Sequence, residues 1–120
     1  MNAREFAVNV YRAVDSMIPS AQLAFLTPDC TFVFANHPPA KGHAEIGAHV
    51  QAFFSTIAGL EHELFDVWPV DNHLIVRMAV TYTRKDGKRM TFPAAVIWKI
   101  RGELISEFRI YVDNSPLLLP

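Results

Sequence analysis

Ionisable side chains collect on one face of the last predicted strand in the sequence. Arg109, Tyr111 and Asp113 alternate with apolar residues at positions 108, 110 and 112, just before the turn Asn114-Ser115-Pro116. Because side chains alternate across a strand with a period of two, these three groups share one face. A carboxylate in an apolar cavity has its pKa raised by desolvation, which suits a general acid or base. Asp113 is therefore a candidate catalytic residue if this face lines a cavity, and a cap for the following turn if it faces water.

A histidine on another strand is the second candidate for proton transfer. His62 lies at the start of a predicted strand and shares its parity with Leu64 and Trp68. Histidine titrates near neutral pH, so His62 could relay a proton or orient the carboxylate of Asp113 across a cavity. The alternative is a structural histidine that is buried with its hydrogen bonds satisfied.

Three tyrosines could each donate a hydrogen bond to an oxyanion that develops during a reaction; they are Tyr11, Tyr82 and Tyr111. Tyr111 ranks first because it shares the face of Asp113, so we consider it a candidate catalytic residue. Tyr11 and Tyr82 are candidate ligand-binding residues. Each tyrosine could equally bury its ring and keep its hydroxyl in water.

Two further polar residues could contact a ligand. Arg109 could do so, or it could pair with Asp113 or Glu107, because alternate residues on a strand lie about 7 Å apart. Pairing would lower the pKa of the aspartate and make it a fixed anion instead of a proton carrier. Asn36 could reach the mouth of a cavity, although an asparagine before His37-Pro38-Pro39 is also typical of a turn.

Large apolar side chains could line the walls of a ligand pocket. Phe54, Trp68 and Trp98 lie in predicted helical or strand segments, and their rings would favour a hydrophobic ligand. The alternative for each of them is packing in the protein core without any ligand contact.

Composition and spacing argue against several classes of function. The chain has 120 residues, 51% of them apolar, with 11 basic and 12 acidic side chains, which predicts one folded domain and no nucleic-acid partner. Its histidines lack the spacing of a metal-ligating pair, and no glycine-rich phosphate loop is present, so we expect no metal and no cofactor. No apolar run predicts a membrane span, and the N-terminus does not resemble a secretory signal. Cys30 is the single cysteine, so we expect a cytoplasmic protein.

The first half of the sequence predicts helices and one strand. Asn2 and Glu5 form a capping pair for a first helix, and Pro19 allows a short second helix that ends at Thr27-Pro28-Asp29. Residues 31–36 are rich in β-branched and aromatic side chains and predict a strand. A third helix stops near Gly59, and its apolar face consists of Ile46, Val50, Phe53, Phe54 and Ile57.

The second half of the sequence predicts a meander of four strands. The segments are residues 61–70, 73–84, 89–100 and 103–113. Asp71-Asn72 and Asp86-Gly87 suit tight hairpin turns, and Arg101-Gly102 can form a third. Gaps this short leave no room for crossover helices, so the strands should be antiparallel, with Pro93 at an edge or a bulge. Helices grouped ahead of such a sheet indicate an α+β fold, whose curved sheet can enclose an apolar cavity.

Several short motifs, taken in order, resemble the SnoaL-like proteins of the nuclear-transport-factor-2-like superfamily. They are Thr27-Pro28-Asp29-Cys30-Thr31-Phe32, Gly42 with Ile46, Thr81-Tyr82-Thr83-Arg84-Lys85-Asp86-Gly87, and Arg109-Ile110-Tyr111-Val112-Asp113 with Ser115-Pro116-Leu117. The resemblance covers nearly the whole chain and makes residues 1–120 a single SnoaL-like domain. It implies a cone-shaped, cystatin-like fold in which a curved antiparallel sheet wraps around the N-terminal helices. It also implies a homodimer packed through the sheet.

The resemblance further implies a range of functions. The family includes polyketide cyclases, ketosteroid isomerases, dehydratases and epoxide hydrolases, together with binding proteins that catalyse nothing. In the polyketide cyclases an aspartate near the end of the last strand acts as acid and base, and Asp113 matches that place. In the ketosteroid isomerases a tyrosine on the first helix helps to hold an enolate oxygen, and Tyr11 could occupy a comparable position.

The sequence leaves three functions open. The first is a cofactor-independent cyclase, isomerase or lyase that acts on a small hydrophobic carbonyl compound by proton transfer in an apolar pocket. The second is a protein of the same fold that binds a small hydrophobic molecule without chemistry. The third is a structural domain that binds a protein partner through its outer sheet face. Asp113 buried in a cavity near His62 would favour the first function, a cavity lined only by carbon would favour the second, and a filled interior without a cavity would favour the third.

Overall fold

The computed structural model describes residues 1–119, in which a six-stranded curved sheet packs against three helices. The helices are α1 (Ala3–Asp15), α2 (Pro19–Leu23) and α3 (Gly42–Phe54). The strands are β1 (Leu26–Phe34), β2 (Ala40–Lys41), β3 (Ile57–Val70), β4 (His73–Arg84), β5 (Arg89–Arg101) and β6 (Leu104–Val112), and a 3₁₀ helix follows at Ser115–Leu118. The α+β class predicted from the order of elements is confirmed.

The first helix begins and packs as its residue types predict. The backbone N–H of Glu5 donates to Oδ1 of Asn2 at 2.9 Å, which satisfies one of the free donors of the first turn. One face of the helix is apolar, and its buried members are Ala7, Val10, Tyr11 and Val14. Burying a large apolar side chain contributes about 1.5–3 kcal/mol, so this face fixes α1 against the sheet.

The sheet has the order β2-β1-β6-β5-β4-β3. Strands β3 to β6 form the predicted antiparallel meander, with hairpin glycines Gly87 and Gly102 at φ +89° and +67°. In contrast, β1 pairs in parallel with β6, so the first and last long strands of the chain are neighbours. Parallel pairing requires a connection that crosses over, and here the rest of the domain supplies it.

Two boundaries in the first half differ from those that the sequence predicts. Thr27-Pro28-Asp29 does not end a helix but lies inside β1, where the register against β6 shifts between Leu26 and Thr31. The shift accommodates Pro28, which has no N–H to donate to a neighbouring strand. The third helix ends at Phe54, and Gly59 lies within β3, where a Cβ would approach the side chain of Thr83 to 3.2 Å.

Pro93 occupies a place where one neighbouring strand is missing. It pairs with Ala79 on β4, but β6 reaches only as far as Val112 opposite Ala94. Pro93 is therefore locally at an edge, although β5 is a central strand.

The two faces of the sheet differ in burial. Along β4 the buried side chains alternate with less buried ones, and the buried set is Leu74, Val76, Met78, Val80 and Tyr82. These residues face the helices and form the core with the buried stripe of α1 and with Ile46, Val50 and Phe54 of α3. Within residues 1–119, no helix is both long and apolar enough to cross a membrane.

Candidate functional site

A cavity of about 60 Å³ lies between the helices and the inner face of the sheet. Its wall is mostly aliphatic and aromatic, and the side chains that bring polar atoms to it are Tyr11, Gln22, His49, His62 and Tyr82. A single water needs about 10–15 Å³ on such a scale, so the space suits a few waters or a very small ligand. A ligand the size of an aromatic ring requires the wall to move.

His62 pairs with Asp15 at the wall of this cavity. Nδ1 of the imidazole lies 2.6 Å from Oδ1 of Asp15, and the backbone N–H of His62 donates to Oδ2 at 2.9 Å. Both side chains are mostly buried, with 11% of His62 and 25% of Asp15 exposed. Because an ionised carboxylate can only accept, Nδ1 must donate, and this fixes the orientation and tautomer of the ring. A neutral His62 therefore has its lone pair on Nε2, where it can accept a proton.

Tyr11 lies beside this pair on α1. Its ring is 4.4 Å from that of His62 and stacks on Trp98 at 5.7 Å. Tyr11 and Asp15 are four residues apart, so both lie on one face of the helix. Burial, followed by the nearby Asp15 and Tyr82, raises the pKa of Tyr11 well above its ordinary value. Tyr11 thus stays protonated and can donate a hydrogen bond to a ligand.

Two more polar side chains contribute to the other end of the cavity. The ring of Tyr82 packs edge-on against Phe53 at 5.8 Å, and burial raises the pKa of its hydroxyl to about 12. His49 lies 5.6 Å from His37, and burial, together with that neighbour, lowers the pKa of His49 from its ordinary value of 6.5. His49 is consequently neutral at pH 7.

The cavity wall meets solvent beside the Asp15–His62 pair. Tyr11 and His62 also border an open groove of about 580 Å³ between α1 and β3. Arg4 crosses this groove, with its guanidinium donating to the backbone carbonyl of Leu64 at 3.2 Å. The groove gives the pair a route for proton exchange with water.

Asp113 does not line the cavity, and the predicted inward orientation of this residue is wrong. Its exposed carboxylate accepts hydrogen bonds from the backbone N–H and the hydroxyl of Ser115, at 3.1 and 2.7 Å. These bonds lower the pKa of Asp113 below its ordinary value of 3.8. The physical reason is strand parity, because the apolar face of β6, through Phe108 and Ile110, lines the cavity instead. The expected pairing of His62 with Asp113 is wrong for the same reason.

The residues that share parity with Asp113 also face outward. Tyr111 is 53% exposed, and Arg109 forms an ion pair with Glu107 at 3.2 Å. Trp68, on β3, is 48% exposed on the same outer face. The predicted contacts of Tyr111, Arg109 and Trp68 with a ligand in the cavity are therefore contradicted by their positions.

The remaining residues that were predicted to contact a ligand lie in the cavity wall, in the protein core or at the surface. Phe54, Tyr11 and Tyr82 line the cavity. Trp98 is fully buried but lies behind Tyr11, outside the wall. Asn36 is exposed beyond the end of β1.

Two other kinds of chemistry, at a metal ion and at a cysteine thiol, can be compared with the described residues. Across residues 1–119, no group of three or more histidine, cysteine or acidic side chains could hold a metal ion. Cys30 is buried, and burial followed by the nearby Asp29 raises the pKa of its thiol to about 12. A thiol of this kind is a weak nucleophile at neutral pH.

Three polar residues of the site, Asp15, Gln22 and His49, were not among the candidates from sequence. Asp15 closes α1, and its spacing of four from Tyr11 could have identified it as a partner on the cavity side of that helix. Gln22 lies in a five-residue helix, where no apolar periodicity can be read. Nothing in the sequence pairs Asp15 with His62, because this contact joins segments that are distant in the chain.

Comparison with known proteins places the chain in one family. The family model described as SnoaL-like domain matches residues 7–108. No curated protein shows significant sequence similarity to the chain.

Several solved structures share the fold at low sequence identity. A protein of ketosteroid isomerase-like fold from Catenulispora acidiphila, in complex with trimethylamine, is 18% identical with a TM-score of 0.88 over 98% of this chain and 92% of that one. A candidate SnoaL-like polyketide cyclase from Jannaschia sp. CCS1 is 13% identical, with a TM-score of 0.82 over 97% and 88%. TerC, co-crystallised with polyporic acid, is 15% identical, with a TM-score of 0.84 over 96% and 94%. At these identities the similarity shows the fold alone.

Proposed function

The chain belongs to the SnoaL-like family, and we propose that it is a cofactor-independent acid–base enzyme of the cyclase or isomerase type. Its substrate is a small, mostly apolar carbonyl compound that binds in the cavity. The observation that carries this proposal is the contact between Asp15 and His62, which leaves the free nitrogen of a cavity-wall imidazole able to accept a proton.

His62 acts as the general base in the proposed reaction. Its Nε2 takes a proton from the carbon next to the carbonyl group, and the electrons of the broken C–H bond move into an enolate. Asp15 accepts from Nδ1 throughout and stabilises the imidazolium that forms, as a carboxylate does in other histidine pairs. Return of the proton to a different carbon gives an isomer. Attack of the enolate carbon on a second carbonyl group closes a ring, and the imidazolium then protonates the new alkoxide.

Tyr11 supplies the hydrogen bond for the enolate oxygen. Its raised pKa keeps the hydroxyl protonated, and its ring is in contact with His62. A donor aimed at a developing oxyanion is worth most where water is excluded, as it would be when a substrate fills this apolar cavity. The aliphatic wall therefore contributes to the reaction by strengthening this bond.

Enolisation of a simple ketone tests the proposal without knowledge of the natural substrate. We expect the protein to catalyse deuterium exchange into the methyl groups of acetone in D₂O, and ¹H NMR measures the rate of this exchange. General acid–base catalysis contributes about 10²–10⁴-fold, so His62→Gln should reduce the catalysed rate by at least 100-fold. His73→Gln is the matched control, because His73 begins β4 and lies outside the cavity wall.

The results separate an enzyme from a binding protein of the same fold. Equal exchange rates for the wild type and His62→Gln, with both variants folded by circular dichroism, would rule out His62 as the base. Acetone that binds in the cavity without any catalysed exchange would favour the alternative, a protein that only holds a small apolar molecule. The apolar wall and the ligands found with two structural neighbours support that alternative.

We place the proposed reaction in the cytoplasm. Cys30 is free and buried in β1, and it has no second cysteine to pair with. A protein of this kind is suited to a reducing compartment.

A further inference from the structure

Gln22 is a buried polar side chain that the proposed proton transfer does not use. It lies on α2, only 3% of its surface is exposed, and it lines the cavity. Within residues 1–119, no hydrogen bond involves its side-chain amide. The amide atoms are not completely buried, whereas the indole nitrogen of Trp98 behind the wall is completely buried without a partner.

An amide in this position costs free energy unless a small molecule in the cavity satisfies it. Buried polar side chains in folded proteins nearly always have a hydrogen-bond partner, and Gln22, without one in the protein, depends on water or on a ligand in the cavity. Methionine has a similar length and would fill the same space without that cost. Gln22 therefore has no evident role in stabilising the fold, and its amide is available to a molecule in the cavity.

The position of Gln22 is fixed by close packing of α2 on α3. Gly47 of α3 has no side chain, and a Cβ there would lie 3.3 Å from the Cδ1 atom of Leu23. The absence of a side chain at Gly47 therefore lets Leu23 pack closely against α3. Gln22 therefore reaches the cavity from a different element than α1 and β3, which carry Asp15 and His62.

We propose that Gln22 is a specificity residue that binds a second oxygen function of the substrate, so that the substrate class is a hydroxyketone or a dicarbonyl compound. A glutamine amide offers a carbonyl oxygen that accepts from a hydroxyl and an NH₂ group that donates to either a hydroxyl or a carbonyl. One oxygen lies at Tyr11 and becomes the enolate, and the other lies at Gln22. This inference rests on the proposed function for the reacting end of the substrate.

Pairs of probes that match in size but differ by one hydroxyl group test the inference. Hydroxyacetone is compared with 2-butanone, and 4-hydroxy-2-butanone with 2-pentanone, by NMR titration of the wild type. We expect the hydroxyketone of at least one pair to bind about tenfold more tightly, the effect of one good hydrogen bond. Gln22→Met should abolish that preference, whereas Gln51→Met, an exposed glutamine on α3, should keep it.

A melting temperature provides an independent readout on the same variants. If Gln22 serves a ligand, Gln22→Met removes an unpartnered amide and should raise the melting temperature. A lower melting temperature would indicate a structural role and overturn the inference, as would a hydroxyl preference that survives in Gln22→Met or is absent from the wild type. Loss of acetone exchange in His62→Gln does not enter this test, so the two proposals can fail separately.

Discussion

At the scale of single residues, two aspartates show how the environment decides what a carboxylate can do. Asp15 contacts both the ring and the backbone of His62 at the edge of a cavity. Asp113 accepts two bonds from Ser115 at the surface, where it only closes a turn. The chemistry of the side chain is identical, so only the partner and the burial distinguish a candidate catalytic group from a cap.

Two buried tyrosines make the stability of the protein sensitive to alkaline pH. A tyrosine in the unfolded chain loses its proton near pH 10, whereas the pKa of Tyr82 in the folded protein is about 12. The unfolded state therefore loses protons first as the pH rises, and the free energy of unfolding should fall between pH 10 and 12. Urea denaturation across this range measures the fall, and Tyr82→Phe should make it less steep.

Tyr11 and Cys30 add to the same trend, since burial raises the pKa of both groups. The variant Tyr111→Phe is the matched control, because the ring of Tyr111 is exposed on the outer face of the sheet. A pH profile for Tyr82→Phe that coincides with that of the wild type would contradict the buried, protonated state of Tyr82.

At the scale of elements, strand β6 shows what a period-two pattern contains and what it lacks. The alternation of polar and apolar residues assigns the side chains to two faces, and it does so correctly here. The helices determine which face is buried, because they cover the side of Phe108 and leave the side of Tyr111 exposed. Ionisable residues on one face of a strand therefore indicate an interior site only when the apolar residues of the opposite face are buried elsewhere.

Truncation of the two faces of β6 should have very different costs. Phe108 is 1% exposed and packs against Phe32 and Trp98, at 5.2 and 5.4 Å between ring centroids. Phe108→Ala should lower the free energy of unfolding by about 3–5 kcal/mol, because it removes a buried ring and leaves a void. Tyr111→Ala on the outer face should cost about 0.5 kcal/mol when measured at a protein concentration where the chain is monomeric. Similar costs for both variants in urea denaturation would contradict the assignment of faces.

The same strand explains which parts of the structure were predictable from sequence. Hairpin turns such as Asp86-Gly87 depend on adjacent residues, so the four-stranded meander could be predicted with strand ends within a few positions. The parallel pairing of β1 with β6 and the contact of Asp15 with His62 join residues far apart in the chain. No local pattern encodes such contacts. His62 and Tyr11 were identified by residue type, but their partner became visible only in the folded chain.

At the scale of the whole molecule, the outer face of the sheet carries several large exposed apolar side chains. Phe65, Trp68, Val70 and Tyr111 are each between 40% and 53% exposed. Trp68 pairs with Ile75, and Ile75 pairs with Ile97, which makes an apolar row across three strands. Contiguous apolar surface of this kind is typical of protein interfaces.

We expect this face to bind a second copy of the chain, as the family resemblance implies. Sedimentation of the wild type should show a dimer, and Ile97→Glu should shift it to the monomer, because two charges would be buried across the interface. Thr91→Glu is the matched control, since Thr91 is exposed on the same strand and far from the row. A monomeric wild type, or an Ile97→Glu variant that remains a dimer, would contradict this expectation.

The pairing of β1 with β6 also affects how the chain folds during its synthesis on the ribosome. During synthesis the N-terminal part of a chain leaves the ribosome first, at a rate of about 5–20 residues per second. β1 must then wait several seconds for its partner, because β6 is the last long strand to emerge. Until β6 docks, the apolar residues meant for the interior remain accessible to chaperones and to other nascent chains. A premature stop codon that removes β6 would therefore produce an aggregation-prone fragment in which β1 and β5 each lose a neighbour and the sheet is split in two, and not a smaller functional domain.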